Sequence, residues 1–128
     1  MTAIIAALRP KERIRQDSEP VALMYRTMGA QAAEEVVTRA HGELALTMAE
    51  LAEQVRDDTG LNGAARLLRR LQRMSEQLGL VSLSLVARDA RLCLDRTDRV
   101  AFAAVWARLM RVAEKLLTPE QGIIDQSH

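Results

Sequence analysis

At 128 residues the chain has the length of a single domain with one packed core. Apolar residues make up 48% and charged residues 27%, which excludes a disordered chain, and the formal charge of +1 gives no global pull toward nucleic acid or a membrane surface. Only 2% of the residues are aromatic, which argues against a sheet, and the frequent Ala, Leu, Arg, Glu and Met are helix formers. The composition therefore predicts an all-α protein.

Residues 1–20 read as an N-terminal arm. Ile4, Ile5 and Leu8 share one side of a short turn before Pro10, and Lys11, Arg13 and Arg15 lean basic. Asp17 to Pro20 is polar and ends on proline, so it reads as a loop. The arm is either a frayed terminus or a cover in which Ile4, Ile5, Leu8 and Ile14 lie on the bundle or on a dimer partner. TAIIAAL is too short to span a membrane and lacks the basic segment of a signal peptide, so a cytoplasmic protein is expected.

A short helix is expected over Val21–Met28, ended by Gly29. A long one follows from Ala30 to Arg56, with Val37, Ala40, Leu44, Met48, Leu51 and Val55 as its apolar seam. Its polar residues are largely acidic: Glu34, Glu35, Glu43, Glu50, Glu53 and Asp57, followed by Asp58. Asp57 to Gly60 is a turn, with Asn62 or the preceding Gly able to start the next helix.

The next helix, LNGAARLLRRLQRMSEQLGL, starts at Leu61 and stops at Gly79. Ala64, Leu67, Leu68, Leu71, Met74 and Leu78 recur at three- and four-residue steps and share one face. Arg66, Arg69, Arg70, Arg73 and Gln77 fall on the other. Guanidinium groups this close repel one another unless something anionic is near. A fourth helix is expected over Ser82–Asp95, its inner face made by Leu83, Val86, Ala90 and Cys93 or Leu94. Thr97 or Asp98 caps a last helix over Asp98–Leu117, with Phe102, Val105, Trp106, Leu109, Val112, Ala113 and Leu116 inward and Trp106 largely buried. Residues 118–128 read as a loose tail. Short connections make neighbouring helices antiparallel, so residues 21–117 are expected to close as an up-and-down four-helix bundle behind a short leading helix.

The chain carries no Gly-rich phosphate loop, no CxxC and no HExxH. Neither a metal nor another cofactor is expected. Cys93, inside a helical run, reads as a structural thiol.

Over residues 21–117 the spacing of LLRRLQRMSEQLGL and LVARDARLCLDRTDRVAFAAVWARL resembles the histidine-containing phosphotransfer (HPt) domain of bacterial phosphorelays. That family is a four-helix bundle whose phosphorylated His stands in AHxLKG, followed by LG ten residues on. Leu71 matches the motif's Leu, and Leu78-Gly79 the LG. Counting back ten from Gly79 gives Arg69 where the family has its His, Gln72 where it has Lys, and Arg73 where it has Gly. Arginine cannot accept a phosphoryl group, because its guanidinium stays protonated. The resemblance therefore implies a bundle that keeps the docking shape without the transfer: a non-catalytic adaptor with no catalytic residue of its own. Its partner would be a response-regulator receiver domain or a histidine kinase, met through Arg66, Arg69, Arg70, Gln72 and Arg73. A receiver's active site is acidic, and arginines form charge-assisted hydrogen bonds with carboxylates.

Three other readings stand beside it. His41, in RAHGEL on the acidic helix, is either an ordinary partly exposed histidine or a relocated phosphoryl acceptor; His128 is terminal. The chain can instead be a small helical dimerisation or partner-binding module unrelated to phosphorelays. Nucleic-acid binding through Arg66–Arg73 is disfavoured by the near-zero net charge and the lack of stacking aromatics.

Overall fold

The computed structural model describes residues 14–57 and 61–117. Among these residues the only regular structure is helical, in five segments: α1 Glu19–Met28, α2 Ala30–Asp57, α3 Leu61–Gln77, α4 Val81–Asp95 and α5 Arg99–Leu117. The expected boundaries hold to within two residues at every described end. Of the expected Asp57–Gly60 turn, Asp57 closes α2, and residues 58–60, the segment carrying Ile4, Ile5 and Leu8, and the tail lie outside the described residues.

The start of α1 corrects one expectation. Glu19 and Pro20 belong to the helix, not to the loop before it. Proline is tolerated in a first helical turn, where its missing N–H would have no intrahelical partner. Asp17 Oδ1 accepts the Glu19 N–H at 3.0 Å. At the other end Gly29, φ +86°, is the sole link to α2, and its N–H closes back on Tyr25 O at 3.0 Å.

Consecutive helices pack side by side: α1 on α2, α2 on α3, α3 on α4, α4 on α5, with α5 returning to touch α2. At 1.5 Å per residue, the 28-residue α2 is about 42 Å long and the 17-residue α3 about 25 Å. Gly63 near the start of α3 lies against Gln54 near the end of α2, so the N-terminal part of α2 outruns α3. That part packs with α1, which itself has no fully buried residue.

The core is aliphatic. Leu44 and Leu51 of α2, Leu68 and Leu71 of α3, Leu83 and Val86 of α4, and Leu109 and Val112 of α5 are fully or almost fully buried. Each α3 residue of the expected stripe is buried except Met74, which is half-buried. Ser75 lies on the same face and is fully buried; its hydroxyl donates to Leu71 O at 2.7 Å, so no polar atom is left unpaired there. Trp106 packs against the core, partly buried, as its inward position predicts, and stacks on Phe102 with ring centroids 6.3 Å apart. On the same helix Leu109, Val112 and Ala113 are buried.

The α3–α4 turn is closed twice. Leu80 N–H reaches Ser75 O at 2.9 Å and Gly79 N–H reaches Glu76 O at 3.1 Å, the paired bonds of a Schellman ending, with Gly79 at φ +73°. Residues 14–18 then lie across this turn as a strap. Asp17 N–H donates to Gly79 O at 2.7 Å, Ser82 N–H to Arg15 O at 3.2 Å, and Arg15 N–H to Ser82 Oγ at 2.6 Å. Ile14 packs on the core, so this part of the arm covers the bundle. A Cβ on Gly79 would run into the Asp17 carbonyl.

Candidate docking surface on α3

α3 carries two incompatible faces on one rod. Ala64, Leu68, Leu71 and Ser75 are fully enclosed, while Arg66, Arg69, Arg70 and Arg73 are all exposed. With the apolar side committed to the core, the helical period directs the arginines outward. The structure therefore brings these four of the sequence-derived site residues together. None of the four makes an ion pair or side-chain hydrogen bond among the described residues. Gln72 is set apart from them. It is half-buried at one flank of the stripe and donates to Glu76 Oε1 at 3.0 Å.

The surface is held from beneath and at one end. The α3 core face fixes the roll of the helix, and the strapped Gly79 turn fixes where it stops. Sequence reasoning located Gly79 from its spacing but did not find the strap, because the partners of Arg15 and Asp17 are more than sixty residues away. The periodicity of a single helix carries no trace of such a contact.

The chemistry available to this face is recognition. Guanidinium groups present several N–H donors in a rigid plane and bind carboxylates or phosphates bidentately. They are neither nucleophiles nor general bases at neutral pH. The one imidazole among the described residues is elsewhere: His41 lies on α2, half-buried, and that burial holds its pKa below the usual histidine value, so it is neutral at pH 7. Cys93 is half-buried on α4. No group of three or more His, Cys, Asp or Glu side chains able to hold a metal ion occurs among the described residues, and no described helix is long and apolar enough to cross a membrane. His128 falls outside the described residues.

The neighbouring helix has the opposite sign. Glu43, Glu50, Glu53 and Asp57 of α2 are exposed and likewise make no ion pair among the described residues. An acidic surface thus adjoins the basic one.

No family model, curated protein or solved structure matches this chain.

Proposed function

We propose that the chain is an HPt-like, up-and-down four-helix bundle of α2 to α5 with α1 as its leading helix. In this reading it is a cytoplasmic, non-catalytic signalling adaptor. It docks the acidic active-site face of a response-regulator receiver domain, or a related phosphorelay partner such as a histidine kinase, through Arg66, Arg69, Arg70 and Arg73. Gln72 lies at the margin of that contact. The sequential packing of α2, α3, α4 and α5, with α5 returning to α2, supports the bundle.

The observation that carries the functional reading is the position of Arg69. It stands ten residues before the Gly79 turn, exposed, among three other unpaired arginines. That is where the HPt resemblance puts the phosphoryl-accepting imidazole. A guanidinium there keeps the affinity for an acidic cleft and removes the chemistry. The partner's carboxylates would exchange water for arginine N–H groups, and complementary fields would speed the encounter.

The test is a titration of the protein against the receiver domains of its host, phosphorylated and unphosphorylated, with phosphoryl transfer followed in parallel. Saturable binding to at least one receiver without label passing to the protein is the expected result. Acid-labile phosphate on His41, abolished by His41→Gln, would replace the adaptor reading with a transfer reading. No binding to any receiver would remove the phosphorelay assignment.

A further inference from the structure

We infer that a second copy of the chain docks on the α2–α3 surface, forming a two-fold dimer in which the acidic face of α2 in each copy covers the arginine face of α3 in the other. The inference rests on the charged faces alone and needs no receiver.

On α2, Arg39, Glu43, Leu46, Glu50, Glu53 and Asp57 follow one another at steps of four and three residues, so they lie along one face. All six are exposed. On α3 the outward residues are Arg66, Arg69, Arg70, Arg73, Glu76 and the neutral Gln77, also all exposed. Each face is therefore of one sign except at one position, and the signs are opposite. The exceptions match as well: the lone arginine on the acidic face is Arg39, and the lone carboxylate on the basic face is Glu76.

The two faces are in register. The Gln54 side chain fills the space that a Cβ on Gly63 would take, which sets these residues level. α2 and α3 pack side by side across a three-residue connection and therefore run antiparallel. Counting outward from that contact, Glu53 is level with Ala64, Glu50 with Leu67, Glu43 with Met74 and Arg39 with Leu78. A two-fold axis running between the helices and parallel to them exchanges α2 and α3 while leaving every level unchanged. It sets Glu50 and Glu53 of one copy over Arg66 of the other, Glu43 over Arg73, and Arg39 over Glu76, each within two residues along the helix. The same operation repeats every pair on the other side of the axis.

Leu46, 66% exposed, sits in the middle of the acidic face. Among the described residues this leucine, set between carboxylates, does not join the core. In the dimer it lies level with Leu71, against the alkyl stems of Arg69 and Arg70, which cover apolar surface while their heads stay with the carboxylates. The dimer buries the same arginines that the adaptor reading uses, so a second copy and a receiver compete for α3.

The test is sedimentation velocity of the full chain at about 10 mM and at 0.15 M ionic strength, where the screening length falls from about 30 Å to about 8 Å. Two variants accompany the wild type: Glu43→Arg with Glu50→Arg, and Arg69→Glu with Arg73→Glu, each checked for helical content by circular dichroism. Wild type should dimerise at low salt and weaken at least tenfold at the higher salt. Each variant alone should be monomeric, because both of its faces then lean to one sign. An equimolar mixture of the two variants should form a heterodimer, since each reversed face then meets its complement. A wild type that stays monomeric at low salt, variants that dimerise as well as wild type, or two folded variants that fail to pair would each overturn the proposal. None of these outcomes involves a receiver, so the adaptor reading stands or falls separately.

Discussion

The two ends of α4 are closed by the same hydrogen-bond pattern and differ in almost everything else. At its start, Leu80 N–H bonds Ser75 O and Gly79 N–H bonds Glu76 O; at its finish, Asp98 N–H bonds Cys93 O and Thr97 N–H bonds Leu94 O. Both turns place one residue in the left-handed region, Gly79 at φ +73° and Thr97 at φ +51°. Glycine enters that region freely, whereas a β-branched threonine is strained there. Leu78, Gly79 and Leu80 are buried beneath the strap of residues 14–18, but every residue from Asp95 to Val100 is exposed. One end of the bundle is unstrained, covered and cross-linked to the chain's beginning, and the other is strained and open. The fixed end is the one that terminates the arginine helix. A recognition surface costs least to use when its side chains stand on a backbone that is already held.

The largest loss is expected at Gly79. Gly79→Ala places a Cβ against the Asp17 carbonyl and forces alanine to a positive φ. The strap must move or the turn must change, and the expected loss is about 2 kcal/mol or more in denaturant unfolding. An unchanged midpoint would show that the strap is not seated on the turn. At the open end the sign reverses. Thr97→Gly relieves the strained φ and should stabilise by about 1 kcal/mol. Asp98→Ala sharpens the same end from the other side. Asp98 Oδ1 accepts the Ala101 N–H at 3.0 Å as the cap of α5, and its loss should cost about 1 kcal/mol with no effect on the strap.

A smaller and pH-dependent effect belongs to His41. Its pKa is lowered in the folded protein by burial, so the unfolded chain binds its proton more readily. Stability from this group is present above the ordinary histidine pKa and is lost as pH falls through that value toward the folded one. Unfolding midpoints measured between pH 8 and pH 5 should decline, and His41→Gln should flatten that decline. An equal slope in the variant would assign it to other groups.

Most of the helical frame was legible in the residues because two signals coincide. Leucine spacing marks each inner face, and Gly29, Gly79 and the Asp95–Asp98 turn punctuate the helices where they stop. The arginine stripe was legible for the same reason: once Leu67, Leu68 and Leu71 are committed inward, Arg66, Arg69, Arg70 and Arg73 have nowhere else to point. What escaped depends on partners distant in the chain. The strap needs Gly79 and Ser82 to meet Arg15 and Asp17, which no local pattern encodes. Ser75 follows a local rule instead: a polar residue is rarely fully enclosed, yet its bond to Leu71 O, four residues back, removes the cost. The pairing of Arg39 with Glu76 across two copies becomes visible only when α2 and α3 are set level.

If the outer face of α3 serves recognition, as proposed, it contributes nothing to holding the fold. The most direct test is a pair of numbers on one variant, Arg69→Glu with Arg73→Glu: the unfolding midpoint, and the affinity for a receiver that binds wild type. Stability should stay within about 0.5 kcal/mol of wild type. Affinity should weaken by several kcal/mol at low salt, as attraction becomes like-charge repulsion, with wild-type binding itself falling as salt rises. Equal affinity for variant and wild type, with both proteins folded, would contradict the claim and take α3 out of the interface.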